Sequence, residues 1–177
     1  RVRAASSSSD SSKGSGARQK RTPAESSGDA AYTPAPPPFR GATVTDFPID
    51  QTAMLGGLRF HYREWPNPGA QALVLLHGFT GHARSWESFA LAMQTKYHVY
   101  ALDQRGHGDS AWAEDYSATA MVEDAQRLVT ALGLKRFVLL GLSMGGRNAY
   151  QFAATYPEEV ARLVIVDIGP AIAATGA

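Results

Sequence analysis

The sequence predicts an α/β fold in which helices cover both faces of a mostly parallel sheet. Apolar, strand-like segments recur at residues 72–77, 97–103, 136–141 and 161–167. The continuous apolar run at 72–77 is typical of a strand buried on both faces. Segments with apolar residues three or four positions apart alternate with them, at residues 83–94, 117–133 and 144–156. Strands that alternate with helices across short loops favour parallel pairing.

A β-hairpin is predicted just before this alternation. Gly56 and Gly57 separate the segment AML from the segment LRFHYRE. A Gly-Gly pair suits the tight primed turn that joins two antiparallel strands. Further along the chain, Gly133 and Pro157 are the expected stops of the second and third helices.

Residues 1–40 differ in composition from the rest of the chain. They contain nine serines and five prolines but few large apolar residues, which predicts disorder. A Ser- and Arg-rich, acid-poor segment is typical of a targeting leader, and a plastid transit peptide is one interpretation. A plain low-complexity linker is the other. We therefore expect a disordered segment at 1–40 and a partial α/β domain at 41–177, and the initial Arg1 suggests that the natural N-terminus lies further upstream.

Composition narrows the class of protein. Residues 1–40 carry seven Lys or Arg and three Asp or Glu, whereas residues 41–177 carry ten and thirteen. The folded part is thus mildly acidic, which argues against a nucleic-acid-binding face. No cysteine is present and no apolar run reaches the roughly 18 residues of a membrane helix. A soluble intracellular protein is favoured, and the oligomeric state is not specified.

The hexapeptide GLSMGG, residues 141–146, places a serine at a predicted strand-to-helix turn. Such a G-x-S-x-G turn exposes the serine hydroxyl at its apex, so Ser143 is the candidate nucleophile. Gly141 and Gly145 are expected where neighbouring backbone leaves no room for a Cβ. The alternatives are a glycine-rich phosphate loop and a tight turn with no chemical role.

The pentapeptide HGFTG, residues 77–81, follows the first central strand. Acyl transfer requires two hydrogen-bond donors directed at the developing oxyanion. The backbone amides of Phe79 and Met144 are the candidate donors. His77 leads directly into a glycine, so we expect it to shape the loop rather than act as a base.

A third polar segment, DQRGHGDS at residues 103–110, follows the next strand. We expect Asp103 and Arg105 to brace this loop and Ser110 to hydrogen-bond locally. A metal site formed by His107 with Asp103 and Asp109 lacks the usual ligand spacing.

Together with VDIGP, residues 166–170, these segments resemble the N-terminal half of the α/β-hydrolase fold, across residues 52–170. The resemblance is to small esterases, enol-lactonases, carbon–carbon bond hydrolases and cofactor-free haloperoxidases. It implies Ser143 as nucleophile, the Phe79 and Met144 amides as oxyanion hole, a small-molecule acyl substrate, and no cofactor or metal. A serine at this position argues against the dehalogenase and epoxide-hydrolase branches, which need a carboxylate there.

The resemblance also implies partners for Ser143 that the chain does not provide. An acid and then a histidine follow the nucleophile in this fold, whereas all five histidines here precede Ser143. We therefore expect a fragment truncated after its sixth strand, with the histidine beyond Ala177, an open apolar edge on that strand and no turnover by these 177 residues alone. Asp167, just after the last strand, is a minority candidate for the acid.

The sequence thus predicts a serine hydrolase that cleaves a carboxylic ester or a related acyl bond. A non-catalytic binding protein of the same fold is the main alternative. An acyltransferase and a carbon–carbon bond hydrolase remain as alternatives among enzymes.

Overall fold

A six-stranded sheet organises the part of the chain that the structure, a computed structural model, describes, residues 47–168. The predicted disorder of residues 1–40 therefore lies outside the described residues. In chain order the strands are β1 (Ile49–Leu55), β2 (Leu58–Trp65), β3 (Gln71–Leu76), β4 (Tyr97–Leu102), β5 (Phe137–Leu142) and β6 (Val160–Val166). Their order across the sheet is β1-β2-β4-β3-β5-β6.

The pairing directions confirm the predicted hairpin and the mostly parallel sheet. Strands β1 and β2 pair antiparallel around the Gly56–Gly57 turn, with Leu55 opposite Leu58. Strand β2 also runs antiparallel to β4, whereas β3 is parallel to both β4 and β5, and β6 is parallel to β5. The carboxyl ends of β3, β4, β5 and β6 therefore meet at one edge of the sheet.

Three α-helices connect the strands: α1 (Glu87–Gln94), α2 (Ala118–Ala131) and α3 (Met144–Thr155). The segment 83–94, predicted as one helix, begins as a separate 3₁₀ turn at Ala83–Trp86. That turn is tighter because the Ser85 amide bonds back only three residues, to the His82 carbonyl, and Asp103 holds the Ala83 amide. Among residues 47–168, no helix combines the length and the apolar character needed to cross a membrane.

The helices cover both faces of the sheet, as predicted. One core contains residues of the central strands together with α1, namely Leu73, Leu75, Ala90, Val99, Ala101, Val138 and Leu140. The opposite core joins the alternate strand positions to α2 and α3, with Val74, Leu76, Leu102, Val122, Leu128, Leu139, Ala149 and Phe152. Because successive residues of β3 enter opposite cores, its run from Ala72 to Leu76 is apolar at every position.

The last strand differs from the expectation that β6 is buried on both faces. Val164, Ile165 and Val166 are 40%, 37% and 41% exposed. Within residues 47–168, the pairing partner of β6 is β5, so its other edge is open. The apolar sequence correctly predicts a strand, but burial also requires a neighbour on the outer side.

Candidate active site

Three of the predicted polar segments meet at the carboxyl edge of the sheet. His77, Asp103 and Ser143 each directly follow a parallel strand. A methyl group added to Gly78 would lie 3.5 Å from the Ser143 Cβ. The HGFTG loop therefore lies against the candidate nucleophile, which agrees with the rule that α/β sheets place their ligand sites at this edge.

Ser143 has a strained backbone at the turn between β5 and α3. Its φ of 51° and ψ of −114° lie outside the regions that non-glycine residues prefer. A Cβ on Gly141 would overlap the Gly145 carbonyl oxygen, and one on Gly145 would overlap the Leu76 carbonyl oxygen. The prediction that both positions require glycine is confirmed, because backbone occupies the space that a side chain would need.

The backbone amides at this turn have different partners. The Ser143 amide donates to the Val166 carbonyl across 2.9 Å, so that donor is already used. Met144 is the first residue of α3, and first-turn amides have no carbonyl acceptor within their own helix. Its amide also lies at the positive end of the helix dipole. Of these two amides, Met144 therefore provides the better candidate for binding an anionic oxygen.

The direction of the Phe79 amide is set by the carbonyl of the same peptide group. The Gly78 carbonyl oxygen accepts hydrogen bonds from His77 Nδ1 at 2.8 Å and from the Gly81 amide at 2.9 Å. In a trans peptide the N–H points away from the C=O. Because two donors hold the Gly78 oxygen, the Phe79 N–H is held pointing in the opposite direction.

His77 is buried, with 1% of its surface exposed, and its hydrogen bonds define its tautomer. The ring Nε2 accepts from the Gln104 amide at 3.0 Å, so the hydrogen lies on Nδ1, which donates to Gly78. Burial lowers the pKa of His77 from 6.5 to about 4. These contacts agree with the prediction that His77 shapes the loop.

We expect His77 to make the folded state sensitive to mild acid. Its neutral ring is favoured in the folded state, so only the unfolded chain takes up this proton between pH 6.5 and pH 4. The free energy of unfolding is fully retained above pH 6.5 and falls by about 3 kcal/mol from this group as the pH drops to 4. Urea unfolding of the wild-type chain and His77→Asn across this range measures the difference. Equal pH dependence in the two proteins contradicts the prediction.

A buried amide network joins two strand ends to α3. The Gln104 side chain donates to the His77 carbonyl at 2.8 Å and accepts from Asn148 Nδ2 at 2.7 Å. This network is not among the features that the sequence predicts. The local sequence indicates the network only through Asn148, a polar side chain on the buried face of α3.

The DQRGHGDS loop is braced by Asp103, as predicted. The buried Asp103 carboxylate accepts from His61 Nδ1 at 2.7 Å, from the Asp109 amide at 2.9 Å and from the Ala83 amide. Ser110 makes local hydrogen bonds through its hydroxyl, which donates to the Asp103 carbonyl at 2.6 Å. The carboxylate therefore connects β2, the 3₁₀ turn and this loop.

Arg105 attaches the same loop to α2 through a second buried carboxylate. Its Nε and Nη2 donate to the two oxygens of Asp124 at 2.6 Å and 2.8 Å. The same side chain also donates to the Asp115 and Ala120 carbonyls. The hydrogen bond to Asp124 raises the pKa of the Arg105 guanidinium above its ordinary value. The bracing role of Arg105 was predictable from the sequence, but its partner Asp124 was not.

The geometry does not assemble the metal site that His107 would form with Asp103 and Asp109. The ring nitrogens of His107 instead face the Arg105 carbonyl at 2.9 Å and the Phe79 carbonyl at 2.6 Å. Among residues 47–168, the grouping with metal-like spacing is His61, Asp103 and Asp109, whose ligand atoms lie within 4.8 Å of one another. Since Asp103 already accepts three hydrogen bonds, the protein itself satisfies that carboxylate.

Within residues 47–168, which contain all five histidines, no imidazole nitrogen is hydrogen-bonded to Ser143. The buried His61 lies between Asp103 and Asp50, and His98 bonds Glu64 at 2.7 Å. His77 and His107 bond backbone groups of the two loops, and His82 is exposed before the 3₁₀ turn. The hydroxyl of Ser143 therefore has no hydrogen-bonded histidine in the described part of the chain.

The sequence model of the family described as "alpha/beta hydrolase fold" matches residues 71–175, more than half of the chain. The chain belongs to the α/β-hydrolase family.

Two curated relatives and one solved structure show which kinds of hydrolase are similar to this chain. The chain is 46% identical over 101 residues to sn-1-specific diacylglycerol lipase ABHD11 of Mus musculus. The aligned region covers 56% of this chain and 33% of that protein. Epoxide hydrolase 4 of Mus musculus is 35% identical over 114 residues, covering 63% of this chain and 32% of that protein.

A solved structure of a bacterial membrane phospholipase A superposes on this α/β-hydrolase chain with a TM-score of 0.69 and 31% identity. The superposition covers 73% of this chain and 42% of the phospholipase chain. The chain spans about a third of the length of the first curated relatives that it matches. Hydrolases of several kinds are thus similar to this chain, and they share its fold.

Asp167 lies directly beside the Ser143 turn of this α/β-hydrolase chain. It follows Val166, whose carbonyl accepts from the Ser143 amide, and its own φ of 60° lies in the left-handed region, which aspartate adopts more readily than most non-glycine residues. Its side chain is exposed. The position is compatible with the minority prediction for the acid, but no described contact joins Asp167 to a histidine.

Proposed function

We propose that the protein is a serine hydrolase that cleaves a carboxylic ester or a related acyl bond, with Ser143 as the nucleophile. The observation that carries this proposal is the strained Ser143 turn beside a loop whose Phe79 amide is oriented by two hydrogen bonds. The first amide of α3, at Met144, which has no acceptor within its own helix, supports it as the second oxyanion donor.

The proposed reaction proceeds in two balanced steps. Ser143 Oγ attacks the ester carbonyl carbon while a base takes its proton, and the carbonyl oxygen becomes an oxyanion bound by the Phe79 and Met144 amides. Collapse of this intermediate breaks the ester C–O bond, and the leaving alcohol receives the proton. Water then attacks the acyl-serine in the same way, which releases the carboxylic acid and restores Ser143.

The base in this proposal is a histidine that these 177 residues do not supply. At least one ring nitrogen of four of the five histidines already faces a carbonyl or carboxylate group or the Gln104 amide, and none of the five is hydrogen-bonded to Ser143 in the described structure. Serine is a weak nucleophile until a neighbouring base accepts its proton. We therefore expect the 177-residue chain alone to show no turnover.

The relatives narrow the reaction only in part, because they bear names of several hydrolase types. A lipase and a phospholipase A act on acyl esters by name, whereas another relative is named epoxide hydrolase 4. A serine at position 143, in place of a carboxylate, favours the acyl chemistry. An acyltransferase or a carbon–carbon bond hydrolase would use the same serine, and a binding protein would not need its reactivity.

A fluorophosphonate probe tests the proposal on the full-length protein. We expect one covalent label per molecule, mapped by mass spectrometry to the peptide that contains Ser143, and no label in Ser143→Ala. Ser88→Ala is the matched control, because Ser88 is an exposed serine on α1, and it should label like the wild type. Absence of label, or label that persists in Ser143→Ala, rules the proposal out.

A further inference from the structure

His107 connects the two loops at the carboxyl edge of the sheet. Its Nε2 lies 2.6 Å from the Phe79 carbonyl oxygen, and its Nδ1 lies 2.9 Å from the Arg105 carbonyl oxygen. The ring also packs against its neighbours, with its centroid 5.0 Å from that of His77 and 6.1 Å from that of Phe79. The imidazole therefore bridges the HGFTG loop and the DQRGHGDS loop.

The conformation of Phe79 depends on these backbone contacts, because its side chain is not anchored in a core. The Phe79 ring is 71% exposed. On its N-terminal side, His77 and Gly81 hold the Gly78 carbonyl. On its C-terminal side, His107 holds the carbonyl of Phe79 itself. Since peptide groups are planar, these two sites together restrict both backbone torsions of Phe79.

The support for His107 is itself rigid. It lies two residues after Arg105, whose guanidinium binds both oxygens of the buried Asp124 on α2. The Nδ1 contact to the Arg105 carbonyl links the imidazole to that fixed point. A continuous set of contacts thus leads from α2 through Arg105 and His107 to Phe79.

We propose that His107 is a positioning residue that holds the Phe79 amide in the direction needed for the oxyanion site. This inference rests on the proposed function of Ser143. The hydrogen is assigned to Nε2, the nitrogen with the shorter contact, so that it donates to the Phe79 carbonyl. His107 does not act as the base in this arrangement, because both ring nitrogens face carbonyl oxygens rather than Ser143.

Two amide substitutions separate the two contacts of His107. His107→Gln places a side-chain N–H near the Nε2 position and can keep the bond to Phe79. His107→Asn places its N–H near the Nδ1 position, where it faces the Arg105 carbonyl, and loses the bond to Phe79. His107→Leu removes both. His98→Gln is the matched control, since His98 bonds Glu64 on a neighbouring strand and contacts neither loop in the described structure.

The first measurement is hydrogen exchange of the Gly81 amide by NMR, which needs no catalytic activity. That amide bonds the Gly78 carbonyl and therefore reports the closed loop. We expect exchange about tenfold faster in His107→Asn and His107→Leu, and near wild type in His107→Gln and His98→Gln. Unchanged exchange in all three His107 variants overturns the proposal.

The second measurement is hydrolysis of a p-nitrophenyl ester by the full-length protein. We expect kcat to fall about 10- to 100-fold in His107→Asn and His107→Leu with KM unchanged, and His107→Gln to restore it. Equal loss in the Gln and Asn variants contradicts a role for the Phe79 contact. If the wild-type protein hydrolyses no ester, the proposed function fails, while Gly81 exchange still decides the loop-positioning role.

Discussion

Replacing Asp124 by asparagine should destabilise the fold by about 3–5 kcal/mol, because the Arg105 guanidinium would keep its burial and lose its counter-charge. Asp124 is 1% exposed and Arg105 is 6% exposed, so little water can compensate. The effect should appear as a lower urea midpoint with an unchanged m-value. Denaturation followed by circular dichroism measures both quantities.

Glu123→Gln is the control for that experiment. Glu123 pairs with Arg127 at 2.8 Å on the same helix, but both side chains are largely exposed. Exposed pairs of this kind contribute roughly 0.2–1 kcal/mol. If Asp124→Asn costs no more than Glu123→Gln, the buried pair does not hold the loop in the way we infer.

Gly145→Ala should also destabilise the protein strongly, although helix propensity alone predicts the opposite. In a helix interior alanine is favoured over glycine by about 1 kcal/mol. At this position, however, the added Cβ would overlap the Leu76 carbonyl oxygen at the end of β3. Separating α3 from the strand should cost about 3 kcal/mol or more, since backbone cannot rotate away as a side chain can. Urea unfolding of the variant gives the sign and the size.

Gly133→Ala serves as the comparison, because no atom of the described structure lies within 4 Å of the added Cβ. That substitution should cost only about 1–2 kcal/mol, from the left-handed backbone at this residue. A Gly145→Ala protein that is as stable as wild type would show that α3 does not pack on β3 as closely as described.

The central strands were predictable from the sequence because they are largely apolar. The helices were predictable because their apolar residues lie three or four positions apart. Strand β3 was expected at residues 72–77 and is found at Gln71–Leu76, and α2 was expected at 117–133 and is found at Ala118–Ala131. Both patterns follow from burial, which imposes a period along the chain. The 3₁₀ turn before α1 was missed, because a tighter turn leaves the apolar spacing unchanged.

The partners of the buried charges were not predictable in the same way. His61 and Asp103 are 42 residues apart in sequence, and Arg105 and Asp124 are 19 apart. A long-range pair has no period, so the sequence indicates only that a buried charge needs a partner. For Ser143 the turn was predictable from the local G-x-S-x-G pattern, in which crowded backbone requires the two glycines. The bridging position of His107 depends on how two loops fold over the edge, which no local pattern describes.

The hydrogen bond from the Ser143 amide to Val166 has a consequence for how the protein responds to heat or denaturant. It fastens the Ser143 turn to β6, which among residues 47–168 pairs on one side, with β5, and exposes apolar residues. Edge strands open locally at lower free energy than the whole domain unfolds. In molecules that release β6, the Ser143 amide loses its carbonyl acceptor. The turn at Ser143 should therefore loosen before the sheet melts, which makes the Ser143 amide an early reporter of fraying at β6.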